Sequence, residues 1–380
     1  LEHPVKRRIL TLLAVSLLAV SVATAWASPD DRDHERPRPF SGAVYTASNA
    51  AGGNAVLIFD QLADGRLAPA GRAATGGKGT GAGLGNQGGV TLTRNERWLL
   101  VVNAGSHSLS VFEVQRRGLR LTDVEPTGGI QPISVTEHRS VVYVVHAGSD
   151  NIAGFRLGRD GRLHPLDGSI RALSGTGVGP AQIAYSPDGD TLVVTEKNTN
   201  RIVTFEVDRD GLPGEMRVQE SAGTTPFGFA FGHRDQVFVS EAFGGAENGS
   251  ATSSYELDHH GALTTVSASV ATGQTAACWT AVTPNGRYVY VTNTGSGSIT
   301  GYRLDFDGTL ALLDEDGRTG VTGTGSAPTD VVVTDSGRHL YDLNSGSHTI
   351  GAFRIQADGS LTPLPFVTGL PVGANGLAAR

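Results

Sequence analysis

The chain has one cysteine, Cys278, and one methionine, Met216, in 380 residues. A single cysteine excludes an internal disulfide. Charge is sparse, at 18% of residues, and aromatics are only 6%. The formal net charge is −7, and no basic stripe runs along the chain. Nucleic acid is therefore not an expected partner, and the acidity mainly supports solubility. No amphipathic helix is legible beyond the N-terminal region. The one long apolar run, Ile9 to Val22, follows Lys6-Arg7-Arg8 and precedes Ala25-Trp26-Ala27. It is short for a membrane span and carries an A-x-A cleavage pattern, so residues 1–27 read as a secretory signal peptide. A secreted or periplasmic protein without a membrane span after cleavage is expected. Residues 28–39 are charged and proline-bearing, and read as a disordered lead.

Glycine is abundant, with 52 residues, and its placement is regular. Seven times an aromatic residue is followed six positions later by glycine: Phe59/Gly65, Phe112/Gly118, Phe155/Gly161, Phe205/Gly211, Tyr255/Gly261, Tyr302/Gly308 and Phe353/Gly359. The interval between pairs is roughly 50 residues, a period typical of repeat architectures. Each aromatic ends an alternating apolar run such as Ile202-Val203-Thr204-Phe205. Each glycine closes a polar turn such as Arg159-Asp160-Gly161, a hairpin signal. A leucine often opens the next strand (Leu67, Leu163, Leu263, Leu310, Leu361).

Upstream of each aromatic, a second apolar run ends on a polar residue: Asn49, Asn103, His146, Glu196, Glu241, Asn293 or Asn344. A further strand precedes that run, as in Pro180 to Ser186 before Pro187-Asp188-Gly189. The unit is four antiparallel strands, and seven units predict an all-β, seven-bladed β-propeller over residues 40–380. The chain enters the ring on a second-strand pattern, Val44 to Ser48, and ends on a first-strand pattern, Asn375 to Arg380. The C-terminal strand is expected to complete the N-terminal blade and so close the ring. A monomer is expected.

In such a blade the first strand starts, and the second ends, on one face. The polar residues above are expected to meet at one mouth of the central channel. His146, Glu196 and Glu241 are the candidate catalytic groups, since a buried carboxylate beside an imidazole can move protons. The candidate ligand-binding groups are Gln87, Asn103, Ser134, Gln182, Lys197, Arg201, Trp279, Asn293, Asp330 and Asn344. The loops Gly71 to Asn86, Gly168 to Gly179 and Phe243 to Ser253 are expected over the same mouth. The competing reading of each polar strand end is an anchor for the adjacent loop. Trp279 fits either a stacking surface or a wedge in the channel, and Cys278 fits a small buried filler. No cofactor is expected. Carboxylates and asparagines at the mouth could hold a divalent cation, but no metal-loop spacing is present. Gly83-Leu84-Gly85-Asn86-Gln87-Gly88 matches G-x-G-x-x-G but precedes a strand, which excludes a dinucleotide turn. Gly76-Gly77-Lys78-Gly79-Thr80 lacks the spacing of a phosphate loop.

Tyr290-Val291-Thr292-Asn293, its variants Leu100-Val101-Val102-Asn103 and Tyr143-Val144-Val145-His146, and Ser186-Pro187-Asp188-Gly189 together resemble the lactonase-type seven-bladed propellers. That family includes propeller 6-phosphogluconolactonases, carboxymuconate-lactonizing cyclases and YVTN-repeat surface proteins. The resemblance implies the propeller fold and a lactone or sugar-like ligand at the channel mouth. In a lactonase, Glu196 or Glu241 would be the base, His146 the acid or electrophile, and Lys197 or Arg201 the anion anchor. The family's enzymes are expected to carry a Pro-His-x-His-like pattern where this chain has Pro180-Ala181-Gln182-Ile183. A Pro-Arg-His-like opening is expected where it has Ala276-Ala277-Cys278-Trp279. Neither pattern is present. A non-catalytic extracellular propeller, binding a saccharide, peptide or surface partner through Phe243 to Ser253, is the alternative.

Overall fold

The computed structural model describes residues 40–380. The expected signal peptide and lead lie outside the described residues. Seven antiparallel sheets make the ring. The fourth blade shows the pattern: Pro180–Tyr185 (innermost), Thr191–Glu196, Arg201–Val207 and Pro213–Glu220 (outermost). Counting along the chain, the innermost strands of the second to seventh blades are Val90–Leu92, Pro132–His138, Pro180–Tyr185, Pro226–Phe231, Ala277–Val282 and Pro328–Val333. The first blade takes its innermost strand from the C-terminus, as the strand pattern predicts. Asn375–Ala379 pairs antiparallel with Phe40–Ala47, with Val44 opposite Ala379 and Ala47 opposite Asn375. This pairing removes the free edge that a linear stack would leave.

Burial follows position in the blade. Second strands such as Trp98–Asn103 and Tyr288–Asn293 are buried along their whole length, because each is sandwiched between two neighbouring blades. They therefore read as unbroken apolar runs. Outermost strands such as Leu361–Thr368 are largely exposed at the rim. The apolar core is a set of clusters between adjacent blades, as where Leu100 and Val102 meet Val142, Val144 and Phe155. In the third and sixth blades the outermost strand is broken into two short pieces, Leu163–Pro165 with Arg171–Ala172, and Leu310–Leu312 with Gly320–Val321.

The aromatic–glycine repeat has a physical cause. All seven aromatics are buried. The repeat glycines turn the third strand into the fourth with positive φ, as at Gly65 (89°) and Gly161 (80°). This is a conformation that side chains rarely adopt. A Cβ at Gly161 would also sit 2.4 Å from the Trp98 ring of the preceding blade. Glycine carbonyls tie blades together: Tyr143 Oη donates to Gly211 O (2.7 Å), Tyr290 Oη to Gly359 O (2.7 Å) and Tyr341 Oη to Gly65 O (2.8 Å). The last of these joins the seventh blade to the first.

Three loop boundaries differ from expectation, one being Gly168 to Gly179, which contains the strand piece Arg171–Ala172. Gly71 to Ala74 belongs to the outermost strand Leu67–Ala74, so the free connection begins at Thr75. The insertion after Glu241 forms a 3-10 turn, Phe243–Gly245, but its last residues, Ala251 to Ser253, already belong to the next strand. Among the described residues no helix is long and apolar enough to cross a membrane.

Candidate active site in the channel

The residues at the ends of the second strands do not assemble into one mouth site. His146, Glu196 and Glu241 are each fully buried within their own blades. No hydrogen bond joins any two of them. Glu196 accepts the Ser174 N–H (3.0 Å) and the Thr199 hydroxyl (2.7 Å), with the Ser174 hydroxyl as a third donor. Glu241 accepts the Gly223 N–H (2.8 Å) and the hydroxyls of Ser253 and Ser269. Burial pushes the Glu241 pKa up, and these donors oppose that shift. His146 Nδ1 lies 3.2 Å from Asn151 O, and burial pushes its imidazole down to about 4. A neutral, loop-packed imidazole is a poor acid at neutral pH.

The asparagines play the same part. Asn103 donates to Ser108 and Ser110 and accepts from Asn54. Asn293 donates to Ser298 and Thr300, and Asn344 to Asp342. All six of these residues end second strands, and their hydrogen bonds secure nearby loops and strands. Arg201 pairs with Glu220 at the outer edge of the fourth blade, away from the axis. Among the described residues no group of three or more His, Cys, Asp or Glu side chains could hold a metal ion.

The expected mouth is crossed by the chain itself. Residues Gly85, Asn86 and Gln87, from the glycine-rich motif, span the ring and bind four other blades. Lys197 Nζ donates to Gly85 O (2.5 Å) and lies 4.7 Å from the Phe227 ring centroid. Burial lowers the Lys197 pKa to about 8. Trp279 Nε1 donates to Asn86 O (2.6 Å), which makes this indole the wedge of the two readings. The Asn86 side chain bonds Asn375 and Ile133. The Gln87 N–H donates to Ala181 O (3.0 Å), while its side chain engages Thr280. Glycine is required in this segment: Gly88 has φ of 78°, and a Cβ there would meet Ser134 Oγ at 2.8 Å. Cys278, beside the plug, is buried, and desolvation pushes its thiol up to about 12, as suits a filler.

Below the plug the channel holds a cavity of about 420 Å³. It opens on the opposite face, among the turns that join first to second strands. Three sequence candidates line it: Gln87, Gln182 and Asp330. Gln182 clamps Phe229 of the next blade by two bonds, Nε2 to Phe229 O (2.9 Å) and Phe229 N–H to Oε1 (2.7 Å). Ser134 likewise links to Ile183 of the neighbouring inner strand and does not line the cavity. Val90, Leu92, Phe229, Val282, Val331 and Val333 supply apolar stretches of a wall that also carries polar and charged groups.

Asp330 differs from these amides. It is 2% exposed, its Oδ1 accepts the Val331 N–H (2.8 Å), and its Oδ2 has no hydrogen-bond partner. Burial pushes its pKa up to about 8, against the lowering effect of the Val331 and Leu377 N–H groups. The carboxyl is therefore protonated at neutral pH and can donate. A carboxylic acid kept neutral in an apolar site can stabilise a developing oxyanion by donating a hydrogen bond. Residues at the open end, Arg94, Glu96 and Asp335, lie in turns that the sequence marks only as turns.

A larger groove, about 580 Å³, lies off the axis between the third and fourth blades. Several of its charged groups are already engaged. Arg139 reaches Asp190 (4.0 Å), Arg156 donates to Asp210 O (2.7 Å), and Asp208 caps its own turn. The channel cavity, with a free buried carboxyl, is the stronger candidate.

The fold and the channel define a seven-bladed propeller with an axial cavity open at one end. The chain belongs to the family described as "Lactonase, 7-bladed beta-propeller", whose model matches residues 52–179, 170–279 and 236–326. A 6-phosphogluconolactonase from Erwinia tasmaniensis is 26% identical over 313 residues, covering 81% of this chain and 77% of the relative. A putative 6-phosphogluconolactonase from Bacteroides fragilis superposes with a TM-score of 0.72 at 17% identity, covering 90% of this chain and 98% of the other. A periplasmic gluconolactonase from Pseudomonas aeruginosa superposes with a TM-score of 0.71 at 15% identity, covering 88% and 98%.

Proposed function

We propose that the protein hydrolyses a lactone in the channel cavity, with the Asp330 carboxyl donating to the lactone carbonyl oxygen. The observation that carries this reading is Asp330, a residue of the cavity lining whose Oδ2 is buried without a hydrogen-bond partner. Water adds to the carbonyl carbon, the ring C–O bond breaks, and the water's proton passes to the departing ring oxygen. The product is a hydroxy acid. Asp330 supplies the donor that holds the carbonyl oxygen as negative charge develops there. The 6-phosphogluconolactonase relative and the periplasmic gluconolactonase of like fold support the reaction class. The expected signal peptide supports action outside the cytoplasm.

The test is acid release from a lactone panel, followed on a pH-stat. Asp330→Ala removes the donor and is expected to lower kcat/KM by about 100-fold or more. Asp330→Asn keeps a donor that does not titrate. It is expected to retain part of the rate and to abolish the fall in rate that the native enzyme shows as pH rises through about 8. Native turnover in Asp330→Ala, with folding verified by circular dichroism, would remove the assignment. Absence of turnover on every lactone would favour the non-catalytic binding propeller. The exposed loop from Gly244 to Asn248 is then the surface to test by deletion.

A further inference from the structure

We infer that the channel cavity selects an uncharged lactone and rejects its phosphorylated counterpart; this rests on the lactone-opening reading above. The plug at residues 85–87 closes one end of the channel, so substrate and product share the end framed by Arg94, Glu96 and Asp335. The Glu96 and Asp335 side chains both line that opening, and the neighbouring Asp335 holds the Glu96 carboxyl pKa up. Two adjoining carboxyls oppose an approaching dianion. Arg94 is the one cation among the lining residues, and its Nη1 donates to Pro187 O at 2.6 Å. Arg380 lies in an adjoining groove that shares Glu96 with the opening; its charge favours the ionised Glu96, and its Nη2 donates to Gln115 O (3.4 Å). Lys197 lies at the plugged end.

A phosphate entering this cavity would lose water and meet a single lining cation, Arg94, against the two carboxyls of Glu96 and Asp335. An unpaired buried charge is strongly disfavoured. An uncharged monocyclic lactone can rest on the Val90, Leu92 and Val333 side chains of the wall, with its carbonyl toward Asp330. A cavity of about 420 Å³ is within the range of small-molecule sites. The same electrostatics favour release, because ring opening creates a carboxylate that the acidic opening repels.

The experiment measures kcat/KM for glucono-δ-lactone and for its 6-phosphate with the full-length protein, corrected for spontaneous opening. The uncharged lactone is expected to be preferred by at least about 100-fold, the effect of leaving a buried charge unpaired. A Glu96→Gln/Asp335→Asn double variant is expected to shift the ratio of the two values about tenfold toward the phosphorylated substrate. Equal or preferred use of the phosphorylated lactone would overturn the selectivity while leaving the hydrolase reading in place. An unchanged ratio in the double variant would remove the acidic opening as its cause. If neither lactone is opened faster than by Asp330→Ala, the hydrolase reading falls, and the selectivity falls with it.

Discussion

Gln87 and Thr280 are joined across the channel by two reciprocal hydrogen bonds. Gln87 Nε2 donates to Thr280 O at 2.8 Å, and the Thr280 N–H donates to Gln87 Oε1 at 3.1 Å. The amide thus completes a backbone pairing that the inner strand of the sixth blade lacks on its channel side. Gly228 makes the crossing possible, since a Cβ there would lie 2.1 Å from Gln87 Oε1. Gln87→Ala is expected to cost about 1–3 kcal/mol in urea denaturation, because it strands a buried donor and acceptor. Gly228→Ala should cost a similar amount by displacing the same amide. The double variant should cost less than the sum, as the second change cannot break the bonds again. Strict additivity would show that the two residues do not act through this clamp.

Glu196 and Glu241 anchor loops, and their neutral variants separate that role from catalysis. A Gln amide at either site presents an N–H₂ group to a donor where a carboxylate oxygen now accepts. Each of Glu196→Gln and Glu241→Gln is expected to lose about 1–3 kcal/mol of stability. Lactone turnover by the folded variant should remain near native. Loss of turnover at unchanged melting temperature would return these carboxylates to the active site.

Asp342 provides a pH signature independent of the channel chemistry. It is buried in the seventh blade, with Oδ2 accepting from Asn344 Nδ2 and Oδ1 unpartnered. Burial pushes its pKa up to about 7 from an ordinary value of 3.8. Between those values the folded state holds a proton that the unfolded state releases, so this group's contribution to stability falls as pH rises. Asp342→Asn removes that dependence. The melting temperature of the variant relative to native is expected to increase from pH 5 to pH 8. His146, whose pKa is lowered, acts in the opposite sense as pH falls below 6.5, but it is common to both proteins and cancels in the difference. A difference that does not vary with pH would show that Asp342 stays ionised.

Much of the fold was legible because its causes are local and repeated. Each Phe or Tyr fills a gap between blades, and each glycine, Gly65 and Gly161 among them, occupies a turn that disfavours a side chain. The site was less legible. Gln87, Gln182 and Asp330 start or precede inner strands, which brings them to the axis, though on the far side of the plug from the expected mouth. His146, Glu196, Glu241, Asn103, Asn293 and Asn344 share a strand position, which says nothing about where a side chain finds its partners. Arg94, Glu96 and Asp335 sit in turns that resemble all the other turns.

The sequence by itself determined the number of blades, their strand order and the closure of the ring by Asn375–Ala379. Periodic burial and turn chemistry are properties of neighbours in the chain, repeated seven times. Only the tertiary structure decided which end of the channel is open and which carboxyl is free. Those outcomes depend on residues far apart in sequence meeting at the axis. Lys197 and Trp279 hold Gly85 and Asn86 over one end, while the ring buries Asp330 without a partner for Oδ2. Desolvation and hydrogen-bond satisfaction are set by that packing, and no local pattern encodes them.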